Sequence, residues 1–376
     1  MRLGDRDASR VRQCRCCFSG RVVERRIHER DRNRHVERKN LTMNEPRKHH
    51  YVPVFYQKHF VNPKGLLWVY DRSRKKYMEL HPVSICFKKD FYTVRLKDAP
   101  WDRRVETECF HLIDGMSSSA IREFHSQSPT RESIGNVAYF MAVQMHRTPT
   151  FARIMSEMYV SGAEEMMRLM AVDVGRMQSV LDRYSRDTGK SINVSAESMI
   201  KAVRDKGLEV RATETAFLGH IFSQAESTFK LIGHLDWQVL IAPKGAGFIT
   251  CDNPLTVVPP EGCAAVGFFV SGTVSYFPLN RQFCVRLDKS RRPFGYRKIS
   301  KETVQVINRN IAANSERFVM GPEKAQLMSA IKHSGSAEQD SMQRYTVETL
   351  NPDDRGSYQK LTRHPTRYFY VKGIAP

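Results

Sequence analysis

The sequence predicts an α+β domain with an N-terminal β-hairpin, a central helical block and a C-terminal, mainly antiparallel sheet. Three observations carry that prediction. Leu66–Tyr70 and Lys76–Leu80 flank a short polar turn. From about residue 102 to 233, apolar residues recur at three- and four-residue steps. After Trp237 the pattern changes to alternation. Strands and helices in separate blocks belong to an α+β order, because an α/β chain would alternate them.

Each element follows from local chemistry. Pro53 biases Val52 toward extended backbone and suits the first turn of a short helix over about 54–60. Asn62-Pro-Lys-Gly65 reads as a turn into the hairpin, and Phe91–Val94 as a further strand. Helices are expected over 102–125 and 131–158, the latter kinked or broken at Thr148-Pro149. Others are expected at 159–186, 195–206 and 213–233, where Leu218, Phe222, Ala225, Phe229 and Ile232 make an apolar stripe. Met166, Met167, Met170 and Met177 read as adaptable core filling. Trp237, Val239 and Ile241 alternate, and Lys244-Gly-Ala-Gly247 is expected to return the chain tightly into Phe248–Thr250. Strands at 265–271, 274–278 and 282–287, a helix at 300–314 and a strand at Arg317–Met320 complete the domain.

Composition bounds the answer. With 41% hydrophobic and 10% aromatic residues, 376 residues suffice for a real core and are too apolar for a disordered chain. The sequence has neither a run of eighteen apolar residues nor an apolar secretory leader, so a cytoplasmic address and no membrane partner are expected. The five cysteines beyond residue 42 are scattered singly with no C-x-x-C pair among them, and reduced, buried thiols are the economical expectation.

The net charge of +20 is uneven. Residues 1–42 hold thirteen Lys/Arg, twelve of them arginine, against six Asp/Glu, with no hydrophobic period. That segment reads as disordered and as translated sequence upstream of a true start at Met43. A basic arm for nucleic acid is the rival reading, and a zinc knuckle on Cys14, Cys16, Cys17, His28 and His35 has the wrong spacing. One domain is expected over 43–321, and a loosely ordered extension over 322–376 with a linker at Ser334–Ser341.

Five segments then fall in a recognisable order: Lys48-His-His-Tyr-Val-Pro53, Leu67-Trp-Val-Tyr70, Ala142-Val-Gln-Met-His-Arg-Thr-Pro149, Phe248-Ile-Thr-Cys-Asp-Asn-Pro254 and Asn308–Val319. With them the chain resembles a bacterial family known as domain of unknown function 4238. The likeness runs over about 275 residues and begins at Lys48, in keeping with a start at Met43. Cys251 stands where such proteins carry serine, which implies that the serine is no essential nucleophile. The resemblance implies a domain and no particular chemistry.

The residues that could carry chemistry are His49, His50, Glu106, Gln144, Arg147, Asp252 and Asn253. Histidine and carboxylate suit a divalent metal ion, which would take His50, Glu106 and Asp252. Adjacent histidines on a strand face opposite ways, so one of His49 and His50 belongs at a site and the other to the backbone or a carboxylate. Gln144 and Arg147 share a helical face, and Arg147 could grip a carboxylate or phosphate in a fork. Asp252 is equally suited to a turn, bonding backbone amides. No P-loop, dinucleotide-binding glycine triplet, G-x-S-x-G elbow or H-E-x-x-H occurs.

Basic clusters at Arg72/Arg74/Lys75/Lys76, Lys88/Lys89, Arg103/Arg104 and Arg291/Arg292/Arg297/Lys298 accompany Tyr77, Phe91, Tyr92, Phe294 and Tyr296, as a phosphate track with stacked bases would. A solvated basic surface is the plainer alternative. The expectation drawn from all this is a metal-assisted hydrolase acting on nucleic acid. The alternative is a non-catalytic nucleic-acid-binding or sensing domain.

Overall fold

The structure, a computed structural model, describes residues 47–94, 101–205, 207–213, 215–263, 267, 268, 270–333, 345–350 and 358–363. The expectations placed on residues 1–42 and on the linker at 334–341 lie outside them, and the strand expected at 265–271 is not formed by its described residues 267, 268, 270 and 271, which make bends and turns.

Strand β1 (Lys48–His50) opens the described chain, and Pro53 then starts helix α1 (Val54–Gln57), which tightens into a 3₁₀ turn over Lys58–Phe60. The hairpin forms where the sequence puts it, as β2 (Leu67–Asp71) and β3 (Lys76–Leu80). Strand β4 is Phe87–Lys89 and returns to pair with β1. The strand expected at 91–94 shrinks to a single bridge between Val94 and Asp102.

The helical block follows. A π-helical turn over Val105–Phe110 leads into α2 (His111–His125), and Thr130 caps α3 (Arg131–His146) by accepting from the Ser133 amide. Pro149 does break the chain. Thr148 becomes the cap and Pro149 the first residue of α4 (Pro149–Met170). Asp173 caps α5 (Val174–Thr188), Ser195 caps α6 (Ala196–Arg204), and α7 is Leu218–Gly233. Helix α3 packs between α2 and α7 and buries Val137, Phe140 and Met141 completely.

The last third supplies the strands: β5 (Asp236–Ile241), β6 (Thr250–Cys251), β7 (Thr256–Val258), β8 (Val274–Pro278), β9 (Phe283–Asp288) and β10 (Gly295–Lys298). Then come α8 (Lys301–Ala313), β11 (Phe318–Gly321), α9 (Lys324–His333) and a strand pair, β12 (Tyr345–Leu350) with β13 (Tyr358–Arg363). One sheet runs β10-β5-β9-β8-β7, antiparallel except for β10 beside β5. The other runs β3-β2-β11-β6, so the N-terminal hairpin is completed by C-terminal strands.

Two sequence expectations change here. Lys244–Gly247 does turn, with Gly245 at φ +80°, yet it joins two different sheets instead of closing a hairpin. The domain also runs past residue 321, because α9 buries Leu327 and Ala330 in the same core as Val319 and Ile249. The main core lies between the helices and the five-stranded sheet, where Tyr56, Phe140 and Phe277 meet at ring-centroid distances of 5.4–5.9 Å. The described cysteines are all free thiols, as expected, and Cys86, Cys109, Cys251 and Cys284 are buried. No helix among the described residues is long and apolar enough to cross a membrane.

Candidate functional site

Three of the polar residues singled out in the sequence, Gln144, Arg147 and Asp252, turn inward to bond backbone. Helix α3 ends beneath β1, and from there Gln144 donates to the Tyr51 carbonyl at 2.7 Å while Arg147 donates to the His50 carbonyl at 2.8 Å. Both side chains are buried. The other arm of the Arg147 fork reaches Asp114 at 2.8 Å, and its guanidinium lies 4.1 Å above the Phe110 ring. Burial opposes the Arg147 charge, but Asp114, Tyr92 and Glu106 outweigh it and raise its pKa. The Tyr92 hydroxyl closes the ring of contacts by donating to the Arg147 carbonyl at 2.5 Å.

The two histidines divide as strand geometry requires. His49 is fully buried, accepts from the Tyr92 amide at 2.9 Å and stacks on that ring. His50 is half-buried on the other face, with Nε2 3.3 Å from the Val83 carbonyl, and desolvation lowers its pKa. Glu106 projects from the π-helical turn, an irregularity often found at working sites. Its Oε2 is buried with no hydrogen-bond partner, and burial pushes its pKa up to about 7 against the pull of Arg147.

Asp252 sits elsewhere. One carboxylate oxygen accepts from the Glu316 amide at 2.9 Å, and the other from Arg317 at 2.6 Å and Phe318 at 2.9 Å. The carboxylate therefore clamps the entry to β11. This is the backbone role weighed for it, played across the sheet instead of within its own turn. Burial raises its pKa to about 6 even so. Asn253 contributes its carbonyl, which accepts from Asn314 at 2.6 Å.

The structure does not assemble His50, Glu106 and Asp252 as a metal-ligand set. Glu106 belongs with Arg147 and Asp114, His50 faces a carbonyl, and both oxygens of Asp252 are taken. Among the described residues no group of three His, Cys, Asp or Glu side chains is placed to hold a metal ion.

What the motifs build together is a cleft of about 440 Å³. Tyr51 comes from the first motif, Asp71 directly follows the second, Pro149 ends the third, Asp252 belongs to the fourth and Glu316 to the fifth, and all five line it. Arg74, Lys88 and Arg317 add positive charge to the same wall. Asp71 is a shared counter-ion, 2.8 Å from Arg317 and 3.9 Å from Arg74. Tyr51, its pKa raised chiefly by burial, also feels the charges of Asp252 and Glu316. Glu316 accepts a hydrogen bond from the Thr150 hydroxyl.

Sequence reasoning missed Tyr51, Asp71, Lys88, Glu316 and Arg317 as a set. Their signal was adjacency, since each lies within or beside a motif or a basic cluster already recognised.

The wall holding Lys88 continues outward as the β1–β4 ribbon. Across it Lys48 pairs with Lys89 and His49 with Lys88. The Lys48 ammonium lies 4.9 Å over Phe87, and that of Lys88 5.1 Å over Phe91. Beyond them Trp101 is 47% exposed between Arg47 and Arg103, at 5.9 and 5.5 Å. Asp90 binds Arg47 and Arg103, and Asp102 binds Arg104, which leaves the lysines as surplus charge.

Comparison with curated proteins and with solved structures finds no match. A family model described as "Protein of unknown function (DUF4238)" matches residues 48–325, the stretch that builds both the cleft and the fold around it. By that match the chain belongs to the DUF4238 family.

Proposed function

We propose that this protein binds nucleic acid without cleaving it, using the β1–β4 ribbon to follow the phosphates and the adjoining cleft to take a base or a strand end. One observation carries the reading: the ribbon bears exposed Lys48 and Lys89 on one face and Lys88, which lines the motif-built cleft, on the other, next to a half-exposed tryptophan flanked by two arginines. Cations along a backbone with an aromatic face for stacking are what single strands require, and neither needs a particular base. The inward turn of Gln144, Arg147 and Asp252 supports a binding role over a catalytic one, since it makes them supports for the cleft.

The test is fluorescence anisotropy with labelled single-stranded DNA and RNA at about 50 and 200 mM salt. With three to five phosphates neutralised, the log–log salt slope is expected near −2 to −4. Charge reversal at Lys48, Lys88 and Lys89 should abolish binding while leaving thermal unfolding in place. Trp101→Ala should weaken single-strand binding roughly five- to a hundredfold, the range of one stacked base. Undiminished binding by the triple variant would remove the ribbon from the reading, and no binding at low salt would end it.

A further inference from the structure

Two histidines outside the motifs, His59 and His125, meet where the first helix adjoins the helical block. His59 lies in the 3₁₀ turn over Lys58–Phe60, and His125 is the last residue of α2. Their rings stand perpendicular, with centroids 4.9 Å apart. Apolar rings flank the pair, Phe55 edge-on to His59 and Phe283 stacked on His125. The Nε2 atom of each histidine is buried and has no hydrogen-bond partner among the described residues. Burial lowers the pKa of both rings, which keeps them neutral at pH 7.

A neutral imidazole carries one N–H and one lone pair. With the N–H on Nδ1, the two rings bury two lone pairs, and nothing donates to either. A buried nitrogen without a partner is unfavourable to the fold and asks for an explanation. Two of them on neighbouring rings share one need, which a single cation can meet. The spacing suits a metal ion. An ion about 2.0–2.1 Å from each nitrogen lies about 3.2 Å from each ring centre, and centres 4.9 Å apart then subtend about 100° at the ion. That angle falls between square and tetrahedral coordination, and perpendicular rings keep the two ligands from colliding.

The donor set selects the ion. Imidazole nitrogen suits zinc, copper and nickel, whereas magnesium and calcium require oxygen. The charges that His59 feels are those of His125 and Arg122, with no carboxylate among them. Arg122 is exposed and donates to Ser118 and Ser119 on its own helix, at 3.2 and 2.9 Å. Both histidines are only half-buried, so an ion has a way in and water can complete its coordination. A site with two protein ligands also agrees with the lack of any suitable group of three among the described residues.

We propose that His59 and His125 bind a divalent transition-metal ion through their Nε2 atoms, tying the turn after α1 to the end of α2. The site shares no residue with the ribbon or the cleft.

The test is a titration of the full-length chain with zinc chloride over about 1–200 μM, followed by nitrogen-15 NMR of the assigned histidine side chains. The Nε2 signals of His59 and His125 should shift together, and magnesium at the same concentrations should move neither. His59→Asn and His125→Asn should each weaken zinc binding at this site at least tenfold, and the double variant little further, because neither nitrogen holds the ion well alone. Circular dichroism of the zinc-free variants checks their folding, and the wild-type spectrum answers even where a variant does not fold. Zinc uptake that shifts only other histidines, a shift at one of the two rings alone, or affinity unchanged in the single variants would overturn the proposal. So would a pair of signals that answers to acid and not to zinc, since the pair would then take a proton and no metal.

Discussion

At the scale of single residues, Arg147 shows how a buried charge is kept. Its guanidinium spans from the Asp114 carboxylate to the His50 carbonyl, so one side chain joins α2, the end of α3 and β1. Glu106 shares this buried region with less support, since Oε2 lacks a donor and burial lifts its pKa to about 7. An acid whose pKa is higher in the folded protein binds its proton more readily there than in the unfolded chain. Its contribution is therefore fully present below the unfolded value near 4.5 and is lost as pH rises toward 7. Asp252, raised from 3.8 to about 6, adds a similar decline at slightly lower pH. Glu106→Gln should remove its own share, so that unfolding by urea at pH 8 finds the variant more stable by roughly 2–3 kcal/mol, with a smaller gap at pH 4.5. Parallel stability profiles for variant and wild type would show that Glu106 is ionised freely in the folded state.

At the scale of elements, the Asp252 carboxylate decides where β11 begins. Three consecutive amides, Glu316 to Phe318, point at two oxygens, and the Asp252 amide returns a bond to the Phe318 carbonyl at 3.0 Å. Removing the carboxylate leaves buried N–H groups with no acceptor, at roughly 1–3 kcal/mol each. Asp252→Ala should cost on the order of 3–5 kcal/mol and raise amide exchange in 314–321 at least tenfold, while α2 and α7 keep their protection. Unchanged exchange there would mean the clamp is dispensable. The same pair of elements shows what a sequence reveals. The β2–β3 hairpin, the break at Pro149 and the extents of α3 and α8 were legible, because turn chemistry, capping and periodicity act over a few residues. The placing of β6 beside β11, and of β10 parallel to β5, was not, because those partners meet only through distant chain. Local signals cannot distinguish a glycine turn that closes a hairpin from one that passes between sheets, as Lys244–Gly247 does. For the site, the polar residue types were legible and their orientation was not. Arginine, glutamine and aspartate are equally good at holding a ligand and at holding a carbonyl or an amide, and here Arg147, Gln144 and Asp252 hold backbone.

At the scale of the whole molecule, the proposed reading of a binder and the rival reading of a hydrolase make opposite demands on cleft and ribbon. Phosphodiester cleavage at useful rates needs a nucleophile activated by a base or metal and a group that stabilises developing charge. In the cleft the carboxylate with a raised pKa, Asp252, already accepts three amide bonds, and its neighbour Glu316 accepts from Thr150. The cations there are partly committed as well, Arg317 and Arg74 to Asp71. Attraction and stacking from Lys48, Lys88, Lys89 and the half-exposed Trp101 act on ground state and transition state alike and so do not accelerate a reaction. Labelled single- and double-stranded DNA and RNA incubated with the protein in magnesium, manganese or zinc should accordingly be recovered intact. Chelation with EDTA should leave anisotropy unchanged once ionic strength is matched. Cleavage that co-purifies with the chain through several columns and disappears in Glu316→Gln would reverse this reading, because it would show that the cleft carboxylates do chemistry which the hydrogen-bonded resting geometry conceals.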